Sequence, residues 1–203
     1  MSRLVEIATH YDLITEQTLQ QRSERLTIHV DNFNNLLKGR IIEDFRPQDD
    51  HVTRILDLAS GKSGDFQKFT KSFPFLQKYI GLDVSAHSVT EANKRINKQI
   101  KSKDATQTKQ FVEMKAYAAD VCDQNTWPRH ILSEKCFDMV NMQFGIHYAY
   151  EQQERFIQFL NNVSSSLRVG GTFIGTFVEA AKSISSSVSC IYDSTMRSSC
   201  LQS

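Results

Sequence analysis

The segment Asp57–Asp65, DLASGKSGD, combines residue types that suit ligand binding. Its small residues let the backbone approach a ligand closely, and a helix that follows would offer free N–H groups. A phosphate loop is disfavoured because it needs glycine where this sequence has Leu56. The dinucleotide fingerprint also fails, since its glycine positions hold Ala59, Gly61 and Gly64. The segment therefore suits a nucleoside better than a pyrophosphate, and a purely structural tight turn is the alternative.

Two aspartates stand at the ends of the strands that follow this segment. Asp83 closes the second strand, where a carboxylate can accept hydrogen bonds from both hydroxyls of a ribose. Asp120 closes the third strand, where a carboxylate could meet an adenine amino group. Asp83, followed by Ser85, could instead support a helix dipole, and Asp120 could be a solvated strand end. After the preceding turn, the ribose interpretation of Asp83 is favoured, and both interpretations of Asp120 stay open.

A third segment, Gln143–Glu151, places aromatic side chains at the end of the fourth strand. Aromatic rings in a loop at the ligand-binding edge of a sheet are suited to stacking on a nucleobase. Burial in the core is the alternative, and we favour it for Phe144 and Tyr150 taken singly. His147 and Tyr148 follow the strand directly, where core side chains have normally ended, so we predict that they contact ligands.

These segments need a scaffold, and the hydrophobic pattern predicts one. Apolar residues recur at steps of three and four through residues 14–46, which indicates a helix, and Ser85 is suited to capping another. Strands are predicted at residues 54–59, 78–84, 109–120, 136–144 and 171–178. Strands that alternate with helices predict an α/β fold with a doubly wound, mainly parallel sheet. Ligands of such sheets bind at the carboxyl ends of the strands, where all three segments lie.

The chain's 203 residues favour one domain, preceded by a helical lead-in over residues 1–48. A net charge of +1 argues against a whole-chain electrostatic binder of nucleic acid, so a highly charged ligand would need a local cluster of Lys and Arg. No apolar run approaches a membrane span and no secretory signal is present, so we expect an intracellular protein without membrane contact. Residues 179–203 are rich in serine, which predicts a disordered tail; an artificial or misread end of the coding sequence is the alternative.

Together the three segments resemble the messenger RNA cap guanine-N7 methyltransferases. DLASGKSGD is similar to that family's DLGCGKGGD, and Gln143–Tyr148, QFGIHY, matches its Q-F-x-x-H-Y. Further matching motifs are H-Y-D at 10–12, Q-R-S at 21–23, NFNNLLK at 32–38 and GGTFIGT at 170–176. The resemblance therefore runs from His10 to Phe177.

The resemblance implies a Rossmann-like class I methyltransferase fold, with residues 49–178 as a domain that depends on S-adenosylmethionine. The side chains at the family's cofactor positions are Lys38, Ala59, Asp83, Asp120, Gln143 and Tyr148. Those at its cap-contacting positions are Asn34, Asn35, Lys62, Lys68, Arg95 and His147. We expect neither a catalytic residue nor a metal, because guanine N7 has a free lone pair at neutral pH and needs only alignment with the sulfonium methyl.

The implied substrate is capped RNA, whose triphosphate charge Lys62, Lys68 and Arg95 would answer. The capping machinery or RNA polymerase II are the implied protein partners, and the nucleus is the implied location. Two other functions stay open. One is a truncated, non-catalytic cofactor- or cap-binding remnant. The other is a methyltransferase with a small-molecule substrate, which would need no such cationic cluster.

The sequence departs from the family in the turn and at its end. Ala59 and Ser60 replace Gly and Cys, and Ser63 replaces the second glycine after the lysine. Ala59 adds a methyl group beside the cofactor, so we expect a negative φ there. The family continues past the fifth strand with sequence that the serine-rich tail does not resemble, so we expect the last strands to be missing. Residues 171–178 would then form an exposed apolar edge that is prone to aggregation.

Overall fold

The computed structural model describes residues 3–12, 20–21, 24–46, 52–102, 110–133, 136–178 and 187–193. Within these ranges the strands are β1 (Thr53–Leu58), β2 (Leu76–Asp83), β3 (Glu113–Ala118), β4 (Phe137–Gln143), β5 (Leu167–Val178) and β6 (Ser187–Asp193). The helices are α1 (Arg3–Asp12), α2 (Ile28–Asp44), α3 (Phe66–Ser72), α4 (Ala86–Lys101), α5 (Arg129–Leu132), α6 (Ile146–Ala149) and α7 (Gln153–Ser166). A 3-10 turn lies at Gln124–Thr126.

The strands form one sheet in the order β3-β2-β1-β4-β5-β6, in which β3 to β5 run parallel and β6 is antiparallel to β5. Ile55 and Tyr79 lie in a core with α2, α3 and α4 on one face of the sheet. Leu56 and Ile80, the next residues along the same strands, lie in a core with α5, α6 and α7 on the other. Burial on both faces explains the nearly continuous apolar runs of these strands. The predicted doubly wound, mainly parallel α/β fold is confirmed.

Helix α2 occupies only part of the helix predicted over residues 14–46, and residues 14–19 and 22–23 of that segment lie outside the described ranges. Ile41 and Ile42 are buried in the core, whereas Val30 and Phe33 are each 58% exposed. The predicted apolar stripe is therefore buried only near the C-terminal end of α2, where the helix reaches the sheet. Among the described helices, none has the length and hydropathy to cross a bilayer.

Strand β6 changes the expected end of the sheet. It pairs with β5 along the register Thr172↔Asp193 to Val178↔Ser187, so it covers the edge that the sequence left exposed. The prediction of a disordered tail is therefore wrong for residues 187–193. The prediction of a bare edge at β5 is wrong as well, because β6 pairs with it. The segment Ser187–Asp193 contains Val188, Ile191 and Tyr192, residue types that are enriched in strands, so it can form a strand although the tail around it is rich in serine. The rest of the predicted tail, residues 179–186 and 194–203, lies outside the described ranges.

The turn between β1 and α3 contains backbone conformations that few residues adopt readily. Ala59, Gly61 and Ser63 have φ values of 51°, 53° and 49°, in the left-handed region. The expectation of a negative φ at Ala59 is wrong, and this residue bears steric strain that glycine would avoid. The Ser60 hydroxyl oxygen is buried with no hydrogen-bond partner among the described residues, a cost that the family's cysteine would reduce.

A chain of side-chain hydrogen bonds crosses the sheet from β5 to β2. Thr176 Oγ1 donates to Gln143 Oε1 at 2.8 Å, and Gln143 Nε2 donates to Asn141 Oδ1 at 2.6 Å. Asn141 Nδ2 and the Tyr79 hydroxyl then donate to the two oxygens of Asp57, each at 2.6 Å. Asp57 is only 3% exposed, and burial raises its pKa to about 7 although both donors favour the charged form. The chain holds the four strands together where they approach the turn.

Replacing Ala59 with glycine should stabilise the protein. Relief of a left-handed alanine is worth roughly 1–2 kcal/mol, and the greater entropy of an unfolded glycine offsets about half of it. We expect the free energy of unfolding to rise by about 0.5–1 kcal/mol in a denaturant titration. Ala92→Gly, in the interior of α4, is the control and should lower it. A lower stability of Ala59→Gly would show that packing of the Ala59 methyl outweighs the strain.

Stability should fall as the pH rises from about 5 to about 8, partly because of Asp57. Its folded pKa of about 7 exceeds the value near 3.9 of an unfolded aspartate, so the folded state holds the proton more tightly. The resulting stabilisation is complete below the unfolded pKa and is lost as the pH passes the folded pKa. Asp57→Asn should reduce this decline in melting temperature, whereas Asp44→Asn, an exposed carboxylate, should leave it unchanged. An identical pH slope in wild type and Asp57→Asn would contradict the prediction.

Candidate functional site

A cleft with a volume of about 260 Å³ lies at the carboxyl ends of β1 to β4 and is bordered by α1. All six side chains at the cofactor positions line it: Lys38, Ala59, Asp83, Asp120, Gln143 and Tyr148. They come from α2, from the ends of four strands and from α6, and the parallel sheet brings them to one place. Their role in binding remains a prediction, but their convergence is a property of the fold.

Asp83 is held by two backbone N–H groups from different segments. Its Oδ2 accepts from the N–H of Gly61 at 2.8 Å, and its Oδ1 accepts from the N–H of Ser85 at 2.9 Å. The left-handed turn at Gly61 presents the first of these donors, and the N-cap of α4 presents the second. Burial raises the pKa of Asp83 above its usual value, and the two N–H donors oppose that shift. The carboxylate is therefore fixed in orientation at the end of β2.

Asp120 is held mainly by a side chain that sequence reasoning missed. The guanidinium of Arg155, on α7, donates to both carboxylate oxygens at 3.0 and 3.1 Å, and the N–H of Cys122 donates to Oδ1 at 2.9 Å. Arg155 itself lines the cleft. Nothing in the local sequence of α7 separates this arginine from a solvated one, so only the fold reveals the pair.

Asp65 connects the cleft to the residues predicted to contact the cap. Its Oδ2 pairs with Lys38 Nζ at 3.0 Å, and its Oδ1 pairs with Lys68 Nζ at 2.7 Å. Lys68 Nζ also donates to Asn35 Oδ1 at 2.6 Å, which ties α3 to α2. Lys38 Nζ lies 5.9 Å from the ring centroid of Phe144. Asp65 ends the DLASGKSGD motif, and that position was the only indication of its importance.

Helix α1 forms one wall of the cleft through Ile7 and Tyr11. The hydroxyls of Tyr11 and Tyr148 are 2.7 Å apart, and burial raises the pKa of Tyr11 well above its usual range. Ser85 Oγ donates to the carboxylate of Asp12, so the end of α1 is joined to the N-cap of α4. The H-Y-D motif contributed to the family resemblance, but no role had been attached to its residues.

The six side chains at cap-contacting positions form a separate set, here called the rim, and none of them lines the cleft. Asn35 and Lys68 are joined by their hydrogen bond, and the Arg95 guanidinium lies beside Gly64, 3.7 Å from where a Cβ would stand. Lys62 is in the same turn. The pKa of Glu91 is lowered mainly by the hydrogen bond from Lys94, and the positive charge of Lys62 makes a smaller contribution in the same direction. Asn34 has a buried side-chain oxygen with no partner among the described residues. The predicted cationic residues thus gather around the β1–α3 turn.

The aromatic segment after β4 divides between cleft and solvent. Tyr148 and Phe144 line the cleft, and Phe144 has a left-handed φ of 57°. Tyr150 is 70% exposed, so the core interpretation of that residue is wrong. The His147 and Tyr148 rings are 4.0 Å apart at an angle of 44°, and partial burial lowers the pKa of His147, which favours its neutral form at pH 7. An uncharged ring at the rim is suited to contact with a base.

Curated proteins of known name resemble this chain. The mRNA cap guanine-N(7) methyltransferase 1 of Oryza sativa subsp. japonica is 33% identical over 174 residues, which cover 86% of this chain and 45% of that protein. The mRNA cap guanine-N(7) methyltransferase of Caenorhabditis elegans is 32% identical, with the same two coverages of 86% and 45%. The chain therefore spans less than half the length of these relatives.

Solved structures share the architecture at low identity. The geranyl diphosphate C-methyltransferase of Streptomyces coelicolor A3(2) superposes with a TM-score of 0.58 at 11% identity, over 87% of this chain and 65% of that one. The sugar N-methyltransferase KedS8 from Streptoalloteichus gives a TM-score of 0.51 at 16% identity, over 84% and 59% of the two chains. The likeness concerns the fold alone, and it confirms the Rossmann-like methyltransferase architecture.

The sequence profile of the mRNA (guanine-N(7))-methyltransferase domain matches residues 2–191. The match extends past Phe177, where the motifs found in the sequence ended, and into β6. It includes every segment that lines the cleft. The chain therefore belongs to the mRNA (guanine-N(7))-methyltransferase domain family.

Proposed function

We propose that this chain binds S-adenosylmethionine in the cleft and transfers its methyl group to N7 of the guanine cap of mRNA. The observation that carries the proposal is the convergence of all six cofactor positions on one cleft. These residues are scattered from α2 to α6 in the sequence, and the fold brings helix residues and strand ends together in one cleft. Family membership supports the same chemistry.

The acceptors of the cleft are suited to a nucleoside. Each oxygen of Asp83 accepts one backbone hydrogen bond and keeps a further lone pair, because a carboxylate offers about four acceptor positions. Two lone pairs on one fixed carboxylate match the two hydroxyls of a ribose. Asp120, at the end of the neighbouring strand, then serves the base of the same nucleoside. Gln143 and Tyr148 also line the cleft.

The rim is suited to a charged, planar substrate. Lys62, Lys68 and Arg95 surround the β1–α3 turn and would meet the triphosphate, while neutral His147 would meet the guanine. Asn34 and Asn35 add amide groups from α2. S-Adenosylmethionine bound in the cleft would supply an electrophilic sulfonium methyl to guanine N7 and would be left as the thioether S-adenosylhomocysteine. The attacking nitrogen carries no proton, so the protein contributes alignment and electrostatics rather than a base.

A capped RNA substrate also indicates where the protein acts and with which partners. We propose that the protein acts in the nucleus and that the capping machinery or RNA polymerase II are its partners. Co-purification of the tagged chain with RNA polymerase II from nuclear extract would test the proposed partnership with the polymerase.

The function is tested by incubating the chain with labelled S-adenosylmethionine and RNA that carries an unmethylated guanosine cap. Label should appear on N7 of the cap guanine, identified by mass spectrometry of the released nucleotide. RNA with a triphosphate end and no cap is the substrate control. Binding of S-adenosylhomocysteine without any transfer would favour a non-catalytic binding module, and transfer to small molecules alone would favour the other class of methyltransferase.

Asp83→Ala should weaken binding of S-adenosylhomocysteine by roughly 1.5–3 kcal/mol, the value of hydrogen bonds to a charged group. The substitution removes the proposed ribose acceptor from the end of β2. Titration calorimetry measures the effect, and Asp44→Ala, an exposed residue of α2, is the matched control. Equal affinity of Asp83→Ala and wild type would refute the ribose assignment.

His147→Ala should lower methyl transfer to capped RNA by roughly 10- to 100-fold, because misalignment of a reacting base is costly. The melting temperature should stay nearly unchanged, since the side chain is exposed. His130→Ala, at the β3 edge, should leave transfer unchanged. A large loss of stability with transfer intact would instead indicate a structural role.

A further inference from the structure

The two carboxylates of the cleft differ in the acceptor positions that they leave open. Backbone N–H groups of Gly61 and Ser85 fill one position on each oxygen of Asp83. At Asp120, Arg155 fills one position on each oxygen and the N–H of Cys122 fills a second on Oδ1. Of about four positions on a carboxylate, the described residues thus leave two at Asp83 and one at Asp120. The remaining position at Asp120 is on Oδ2.

The main chain of Asp120 is fixed independently of Arg155. Its N–H donates to Thr126 Oγ1 at 2.9 Å, and its carbonyl oxygen accepts from Trp127 Nε1 at 2.7 Å. Trp127 is 4% exposed, so this anchor belongs to the core. The rotation of the carboxylate about its own side-chain bonds is what remains to be set, and the single N–H of Cys122 does not define the plane of the group.

We propose that Arg155 is a positioning residue for the base of the bound nucleoside. Its planar fork fixes the Asp120 carboxylate so that the open position on Oδ2 accepts one N–H from the purine, which selects a 6-amino over a 6-oxo purine. The inference rests on the proposed function, since it assumes that S-adenosylmethionine or its product occupies the cleft. It adds Arg155, a residue that the motifs did not single out, to the interpretation of Asp120 as an acceptor for an adenine amino group.

The chemistry of the pair supports this role. A guanidinium contacts both oxygens of a carboxylate at once and so fixes its plane, whereas a lysine ammonium is a point charge that cannot. The side chains of Arg155 and Asp120 are 27% and 10% exposed, so water competes weakly for these bonds. Arg155 stands on α7, which is anchored in the core by Phe159 and Val163. A 6-oxo purine would set its carbonyl oxygen against the carboxylate, and the two acceptors would repel each other.

The test compares two thioethers, S-adenosylhomocysteine and S-inosylhomocysteine, on the full chain by titration calorimetry. Wild type should prefer the adenosyl compound by about tenfold or more, the worth of a charge-assisted hydrogen bond. Arg155→Gln and Arg155→Lys should both lose most of that preference. Arg168→Gln is the matched control, because Arg168 pairs with Asp138 at the opposite, amino end of the strands. Thermal melts of all variants separate a change in preference from a loss of fold.

The ratio of the two affinities distinguishes the possible failures. Wild type that binds neither thioether would overturn the proposed function and this inference together. Wild type that binds both, with an unchanged ratio in Arg155→Gln or in Arg155→Lys, would overturn the inference alone. Tighter adenosyl binding in the variants would also overturn it, because it would mean that Arg155 competes with the base for Asp120.

Discussion

The buried carboxylate of Asp57 accepts hydrogen bonds from the strands on both sides of β1. Tyr79 reaches it from β2 and Asn141 from β4, and Asn141 in turn accepts from Gln143 at the cleft. These bonds add side-chain constraints to a ladder whose register is already set by the backbone. Ala59, Asp83 and Gln143 stand at the ends of those same strands. Their relative positions therefore depend on a buried group that does not line the cleft and whose pKa burial raises to about 7.

The β1–α3 turn shows how a backbone conformation can serve a side chain on another strand. The left-handed residues of the turn present the N–H of Gly61 to Asp83. Without this donor the buried Asp83 carboxylate would keep only one of its two backbone hydrogen bonds. Close packing has a second consequence at Ser60, whose hydroxyl would lie 2.7 Å from any Cβ at position 81. Gly81 on β2 is the residue that leaves room for it. Ala59 keeps this geometry with a strained left-handed φ, and Ser60 keeps it with a buried, unpaired hydroxyl oxygen among the described residues. The turn geometry is thus retained against the intrinsic backbone preference of alanine.

Asp65 gives the cleft and its rim a common electrostatic centre. One oxygen pairs with Lys38 in the cleft and the other with Lys68 at the rim, so the two cations are held within one carboxylate's reach. Asp65 thus links a proposed cofactor position, Lys38, to a proposed cap position, Lys68, through one carboxylate.

The sequence by itself determined the alternation of strands and helices, the turn after β1 and the acids that close β2 and β3. Periodicity and turn chemistry are local, and the carboxyl ends of parallel strands must share an edge, so the four cofactor positions at strand ends could be predicted to meet. That Lys38 on α2 and Tyr148 on α6 join them was decided by the tertiary structure. Only the tertiary structure decided what holds those residues. Arg155 and Tyr11 lie far from Asp120 and Tyr148 in the chain, and a pairing between distant side chains leaves no local pattern. Strand β6 escaped prediction because its short segment with Val188, Ile191 and Tyr192 lies within a serine-rich tail, and only its pairing with β5 shows that this segment joins the sheet. The sign of φ at Ala59 was likewise decided by the need to connect β1 to α3, against the intrinsic preference of alanine.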